Sequence, residues 1–216
     1  MTRSTLFRSS DPPSDPAAHR RRLRRQLLTR RRQLDDRLQQ QAAMALFQRV
    51  LRWPRFHQAQ RMAFYLPAGG EIDPRPLLQH SLQSGAQCCL PALSPLHEGK
   101  MYFVPVQEGD ALQHNRWGIA EPALHRLVAP RALDIVFVPL VGFDRHGNRL
   151  GMGKGFYDRR FAFRSQRPAA GWPAPHRPIL AGLAHDCQQA EQIPAEPWDV
   201  RLDVIFTPGS MIIPAG

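Results

Sequence analysis

The run VFVPLV at residues 136–141 is apolar throughout. A strand with one wet face alternates apolar and polar residues. A strand apolar on both faces must be covered twice, by elements packed above and below the sheet. Similar short runs punctuate the chain, and helical patterns separate them. The spacing predicts strands at 61–66, 87–90, 101–106, 134–140, 179–184 and 204–207, with helices at 74–84 and 156–163. Such alternation points to an α/β chain. At 216 residues the length suits a single three-layer Rossmann-like domain with a mostly parallel central sheet and an N-terminal basic helix. Residues 164–177, rich in Pro, Gly and Ala, read as a surface loop.

That N-terminal segment carries most of the charge. Residues 1–32 hold ten arginines against two aspartates, which is +8 of the net +11. The basicity is local and not spread over the fold. Leu23, Leu27, Leu34 and Leu38 recur at helical spacing, so residues 18 to about 53 read as two helices or one bent helix. Asp35 or Asp36 is placed to cap the second half, and Pro54 to end it. Residues 1–17, rich in Ser, Pro and Asp, read as a disordered leader ahead of a domain spanning 18–216. No apolar stretch in it resembles a secretory signal, and no run approaches the roughly 18 residues of a membrane-spanning helix. Cys88, Cys89 and Cys187 form neither a C-x-x-C pair nor an even framework, which points to a reducing, cytoplasmic setting.

The segment RLGMGKGFYD at residues 149–158 carries the sharpest chemical signal. Gly151, Gly153 and Gly155 alternate between a strand and a helix, with Lys154 between the last two. Such glycines let backbone N–H groups converge on an anion, and a lysine adds a mobile charge; the plainer alternative is a turn that only joins strand to helix. Lys154 is one of two lysines beside 27 arginines. The segment is not a P-loop, because Gly155 stands where Ser or Thr is required. It is not the dinucleotide fingerprint either, because the third glycine is one position early.

Together with this segment, P-L-V-G-F-D-x-x-G-N (139–148), F-Y-L-P-A-G-G-E-I-D (64–73), N-R-W-G-I-A-E-P (115–122), A-H-D-C-Q (184–188) and E-P-W-D-V-R-L-D (196–203) resemble the 5-formyltetrahydrofolate cyclo-ligase family, also called 5,10-methenyltetrahydrofolate synthetases. The likeness runs in order over about residues 18–208. It implies an ATP- and Mg²⁺-dependent enzyme that closes 5-formyltetrahydrofolate to 5,10-methenyltetrahydrofolate with release of ADP and phosphate. By the same resemblance ATP is held by Arg20, Arg24, Arg149, Leu150, Gly151, Met152, Gly153, Lys154, Gly155, Phe156 and Tyr157, with Lys154 and Arg149 catalytic. Leu66, Glu71, Trp117 and residues 152–156 line the folate side, and Asp158 and Asp199 hold the metal. Arg20 stands where the family pattern has a lysine. From the residues alone, a first-turn helix cap is the lesser alternative for Asp158, while Trp117 reads as readily as a core aromatic. Arg21, Arg25 and Arg30–Arg32 read as a solvated basic face.

The implied partners are the folate and ATP, with no nucleic acid and no membrane. A competing reading is an RNA-binding protein using the Arg-rich helix, which predicts aromatics interleaved with the basic residues; here the aromatics fall in the apolar strands. A transferase phosphorylating another acceptor is a third. His185-Asp186 with Cys187 reads as packing at a strand end rather than a metal site.

Overall fold

A computed structural model describes residues 15–94, 96–97, 99–165 and 176–215. Of the expected leader, residues 1–14 lie outside these, as does most of the expected loop at 164–177. The helical region begins before Ala18: α1 spans Pro16–Arg32, and the Asp15 carboxylate accepts hydrogen bonds from the Ala17 and Ala18 N–H groups. A capping aspartate followed by proline in the first turn starts a helix efficiently, so the helix begins two residues before Ala18. Asp35 caps α2 (Asp36–Leu51), accepting from Leu38 N at 2.7 Å. Pro54 does not end helical structure. It occupies the first turn of α3 (Pro54–Gln58), where its missing N–H costs nothing.

There follow β1 (Arg61–Ala63), α4 (Arg75–Gln83), β2 (Gln87–Leu93), β3 (Met101–Val106), β4 (Leu112–His114), β5 (Ala120–Pro122), β6 (Ile135–Pro139), β7 (Gly142–Phe143), β8 (Arg149–Leu150), α5 (Phe156–Phe161), β9 (Ile179–Leu183), β10 (Val204–Phe206) and β11 (Met211–Ile212). Seven strands form one sheet in the order β11-β10-β9-β6-β1-β2-β3. The five from β10 to β2 run parallel, and β11 and β3 are antiparallel at the edges.

The two-faced reading of 136–141 holds along β6. Ile135 and Phe137 pack with Leu46, Val50, Phe56 and Leu77 of the helices on one face. Val136 and Val138 pack with Phe161 of α5, Val200 and Leu202 on the other. A third, smaller cluster seats α1: Leu27 packs with Val141, Leu150 and Ile193. A Cβ at Gly142 would overlap Leu27 Cδ1, so this glycine lets α1 lie close against the strand. The leucine stripe does not continue into α2, where Leu38 is exposed.

The chain order places the site. From β1 it winds outward to β2 and β3, then returns to β6 and winds the other way through β9 and β10. The carboxyl ends of β1 and β6 therefore release the chain in opposite senses and leave a crevice, the usual ligand position in an open α/β sheet.

Candidate active site

A cavity of about 480 Å³ opens at that crevice. It is large enough for a ligand of drug size. One wall is the glycine loop. The hairpin β7–β8 delivers it, built around the fully buried Asp144, which accepts from the N–H groups of His146, Asn148 and Ile193 and from the Asn148 side chain. Beyond β8 the chain turns through Gly153 (φ 89°) and Gly155 (φ 63°), conformations that disfavour any side chain. Among the described residues, the N–H groups of residues 151–155 donate to no protein acceptor. Five unused donors on a cavity wall make a cradle for an anion. Lys154 is exposed on its lip and has no hydrogen-bond or ion-pair partner among the described residues.

Behind the loop stand three arginines with distinct ties. Arg149, 6% exposed, pairs with Asp158 (2.6 Å) and donates to the Val200 carbonyl. Burial pushes its guanidinium down, and the nearby Asp158 and Asp199 carboxylates push it back up. Arg20 pairs with Asp199 (2.6 Å), and Arg24 donates from Nε to Gly151 O (2.7 Å). Burial, with the neighbouring Arg20 charge, lowers Arg24. The guanidinium of Arg20 thus reaches the cavity where the family pattern has a lysine.

Asp158 and Asp199 both line the cavity. Each gives one oxygen to its arginine and to a backbone N–H, that of Val200 or Glu196. The second oxygen of each accepts no hydrogen bond among the described residues. No cluster of three or more His, Cys, Asp or Glu in metal-binding array exists among those residues. The donor set therefore fits an ion that takes one or two carboxylate oxygens and fills its shell with phosphate oxygens and water, as Mg²⁺ does. The helix-cap reading of Asp158 is incomplete, since its carboxylate turns to Arg149.

Leu66, Glu71 and Trp117 line the cavity on the other side. Expected within a strand, Leu66 instead lies beyond β1 in the segment leading to the Gly69-Gly70 turn. Glu71 follows that turn and accepts from Ala68 N. Burial pushes its carboxyl up to about 6, opposed by Arg31 and the Ala68 N–H. Trp117 is no core residue. It is 40% exposed on the turn between β4 and β5, its ring edge-on to Phe156 at 5.8 Å, with Arg116 stacked on it at 4.3 Å. Asn115 Oδ1 fixes the turn by accepting from Trp117 N and Ile119 N. Its amide donates to Glu121, which also accepts from Leu93 N.

The structure thus gathers the expected residues with one exception. Leu150 does not line the cavity; its side chain is buried in the apolar cluster under α1, because in β8 it faces opposite to Arg149. Among the lining residues that went unrecognised are Glu121 and Arg31. Arg31, expected on a solvated face, is buried and donates to Gly69 O and Leu140 O. Its signal was present: Arg20, Arg24, Leu27 and Arg31 fall on one face at spacings of four, three and four.

Residues 16–208 match the 5-formyltetrahydrofolate cyclo-ligase family. The 5-formyltetrahydrofolate cyclo-ligase of Escherichia coli K12 is 36% identical over 175 residues, covering 80% of this chain and 91% of its own. That of Haemophilus influenzae is 36% identical over 166 residues, covering 76% and 84%. Among solved structures, the 5,10-methenyltetrahydrofolate synthetase of Aquifex aeolicus superposes with a TM-score of 0.75 at 27% identity, covering 90% of this chain and 92% of that one. The Mycoplasma pneumoniae synthetase, at 21% identity and a TM-score of 0.65 over 88% and 98%, shares the fold. With a match across nearly the whole described chain, and a site assembled from the segments that carry the resemblance, the chain belongs to the 5-formyltetrahydrofolate cyclo-ligase family.

Proposed function

We propose that this chain uses ATP and Mg²⁺ to close 5-formyltetrahydrofolate into 5,10-methenyltetrahydrofolate. The observation that carries the reading is one cavity with an anion cradle and a free lysine on one wall and a carboxylate with an aromatic wall opposite. The two sides match the two substrates: a polyphosphate and a flat ring with N–H donors.

The formyl group on nitrogen 5 is an amide whose oxygen leaves poorly. Transfer of the γ-phosphoryl group to that oxygen releases ADP and forms an imidate-like phosphate. Nitrogen 10 then attacks the same carbon, the C–O bond breaks, phosphate departs and the nitrogen proton is lost. The protein's part is to position the two substrates and stabilise charge. The N–H groups of residues 151–155 hold the phosphate chain, and Arg20 and Arg24 offset its charge from α1. Lys154, free to move on the lip, follows the phosphoryl group as it passes. Arg149 is a fixed charge at the base, held by Asp158 and the Val200 carbonyl. Glu71 accepts the pterin N–H donors, and Trp117 with Phe156 closes over the ring plane. Asp158 and Asp199 would hold Mg²⁺ through their uncommitted oxygens, and the ion supplies charge neutralisation at the phosphates when bound. No helix among the described residues is long and apolar enough to cross a membrane. An RNA-binding role for α1 has less support, because Arg20, Arg24 and Arg31 turn into the cavity.

The test mixes purified protein, 5-formyltetrahydrofolate and Mg-ATP, and follows the near-ultraviolet absorbance of the methenyl product together with ADP. One ADP per methenyl group is expected. Product without ATP, or ADP without product, would overturn the reading.

A further inference from the structure

Arg31 is 2% exposed and reaches from the last turn of α1 to the Gly69-Gly70 turn beyond β1 and to the end of β6. Its Nη2 donates to Gly69 O at 2.9 Å and its Nη1 to Leu140 O at 3.3 Å, while Nε is buried with no partner among the described residues. A Cβ at Gly69 would stand 3.6 Å from Nη2, and one at Gly70 would stand 3.8 Å from Cγ. The side chain therefore packs directly beneath the turn that presents Glu71. The Glu71 carboxylate lies 3.9 Å from Nη1, too far for a hydrogen bond and close enough for a strong charge interaction where water is excluded. A neutral donor would suffice to tie two carbonyls together. A full charge buried at this place is explained by the carboxylate beside it.

We propose that Arg31 is a positioning residue for Glu71: its buried guanidinium fixes the Gly69-Gly70 turn and keeps Glu71 ionised, so that the carboxylate meets the substrate as an acceptor only. The proposal rests on the reading that this cavity takes a pterin.

An ionised carboxylate only accepts, while a protonated one carries a donor that collides with the pterin N–H groups. Burial already pushes Glu71 up to about 6, with Arg31 the main opposing influence. The other groups around it do not replace that charge. Tyr65, at the end of β1, spends its hydroxyl on Ile72 O. Tyr157 on α5 is held neutral by burial, and Asp73 adds negative charge from Glu71's own segment. His185, beyond Arg31, is pushed down by burial, which disfavours a second positive charge there. Since Glu71 is raised, it is ionised above about pH 6 and protonated below. Removing Arg31's charge moves that boundary upward, into the neutral range.

The experiment titrates the Glu71 carboxyl carbon by NMR in ligand-free protein, with Glu71→Gln assigning the signal, for the wild type, Arg31→Gln and Arg31→Lys. Glutamine keeps an N–H donor for the two carbonyls without charge, and lysine keeps the charge. The Glu71 midpoint should rise by about one pH unit or more in Arg31→Gln and stay near the wild-type value in Arg31→Lys. The dissociation constant for 5-formyltetrahydrofolate at pH 7, without nucleotide, should rise about twofold in Arg31→Gln for a one-unit shift and about tenfold for two units, and recover at higher pH. An unmoved midpoint in Arg31→Gln, or an equal shift in Arg31→Lys, overturns the proposal. If Arg31→Gln does not fold, a displaced midpoint in Arg31→Lys overturns it and a coincident one supports it. If the NMR shifts appear but the wild type binds no folate, the functional reading fails while the Arg31–Glu71 pairing stands.

Discussion

Lys154 and Arg149 divide the positive charge of the site by mobility. Arg149 is pinned by Asp158 and the Val200 carbonyl, whereas Lys154 is tethered only by its backbone between Gly153 and Gly155. A compact ammonium can track a moving phosphoryl group; a planar guanidinium needs more room and a fixed approach. Lys154→Ala should lower turnover at saturating substrates by roughly 10²–10³, and Lys154→Arg should recover little of it, with folding checked by circular dichroism. Near-normal turnover in the arginine variant would reduce Lys154 to bulk charge. The two aspartates part company when tested. Asp158→Asn leaves the buried Arg149 without its carboxylate, costing on the order of 3 kcal/mol, or roughly 6–12 °C in melting temperature. It should also raise the magnesium concentration for half-maximal activity. Asp199→Asn, whose partner Arg20 keeps the Pro194 carbonyl, should change mainly the magnesium requirement. Wild-type magnesium curves in both variants would remove the metal assignment. The roles of Lys154 and the loop glycines could be argued from spacing, because a short contiguous segment carries them. Arg31 shares a helix face with Arg20, Arg24 and Leu27, a signal the spacing carried; Glu121 could not be singled out, because what distinguishes it is burial, and burial is set by strands elsewhere in the chain.

At the scale of elements, α1 is both a structural cover and part of the proposed nucleotide wall. Its register depends on Leu27 sitting where Gly142 has no side chain. Gly142→Ala should cost about 1–3 kcal/mol by overpacking and tilt α1, moving Arg20 and Arg24 off the cradle. The expected result is a several-fold rise in the Michaelis constant for ATP with turnover nearly unchanged. Equal loss in both parameters would mean that the strand, not the helix, absorbs the methyl group. The strands that are buried on both faces were legible, because their composition admits no other environment. The hairpins β4–β5 and β7–β8 were not. Their two- and three-residue strands lack a period long enough to read, and Asn115 and Asp144 hold their turns through side-chain hydrogen bonds to the backbone. β1 stops at Ala63, short of the expected residue 66, because the chain must leave the sheet there to form the crevice.

For the molecule as a whole, the charge asymmetry of the sequence becomes a choice of ligand. With Arg20, Arg24 and Arg31 turned inward, Mg-ATP should raise the melting temperature more than single-stranded RNA at equal phosphate concentration. At a hundredfold excess over its dissociation constant a ligand adds about 2.7 kcal/mol, roughly 5–11 °C for a chain of this size. Greater stabilisation by RNA would restore the surface role of the helix. The pairing of Arg20 with Asp199 joins residues 179 positions apart, and this has a meaning in time. At about 5–20 residues per second of synthesis, the arginine leaves the ribosome roughly 10–40 s before the aspartate it will meet. For roughly the last 2–10 s of that interval the glycine loop is made while the wall containing Asp199 does not yet exist. The segment around Asp199 is therefore what completes the proposed phosphoryl-transfer site during synthesis, and a chain that has not reached it lacks that wall.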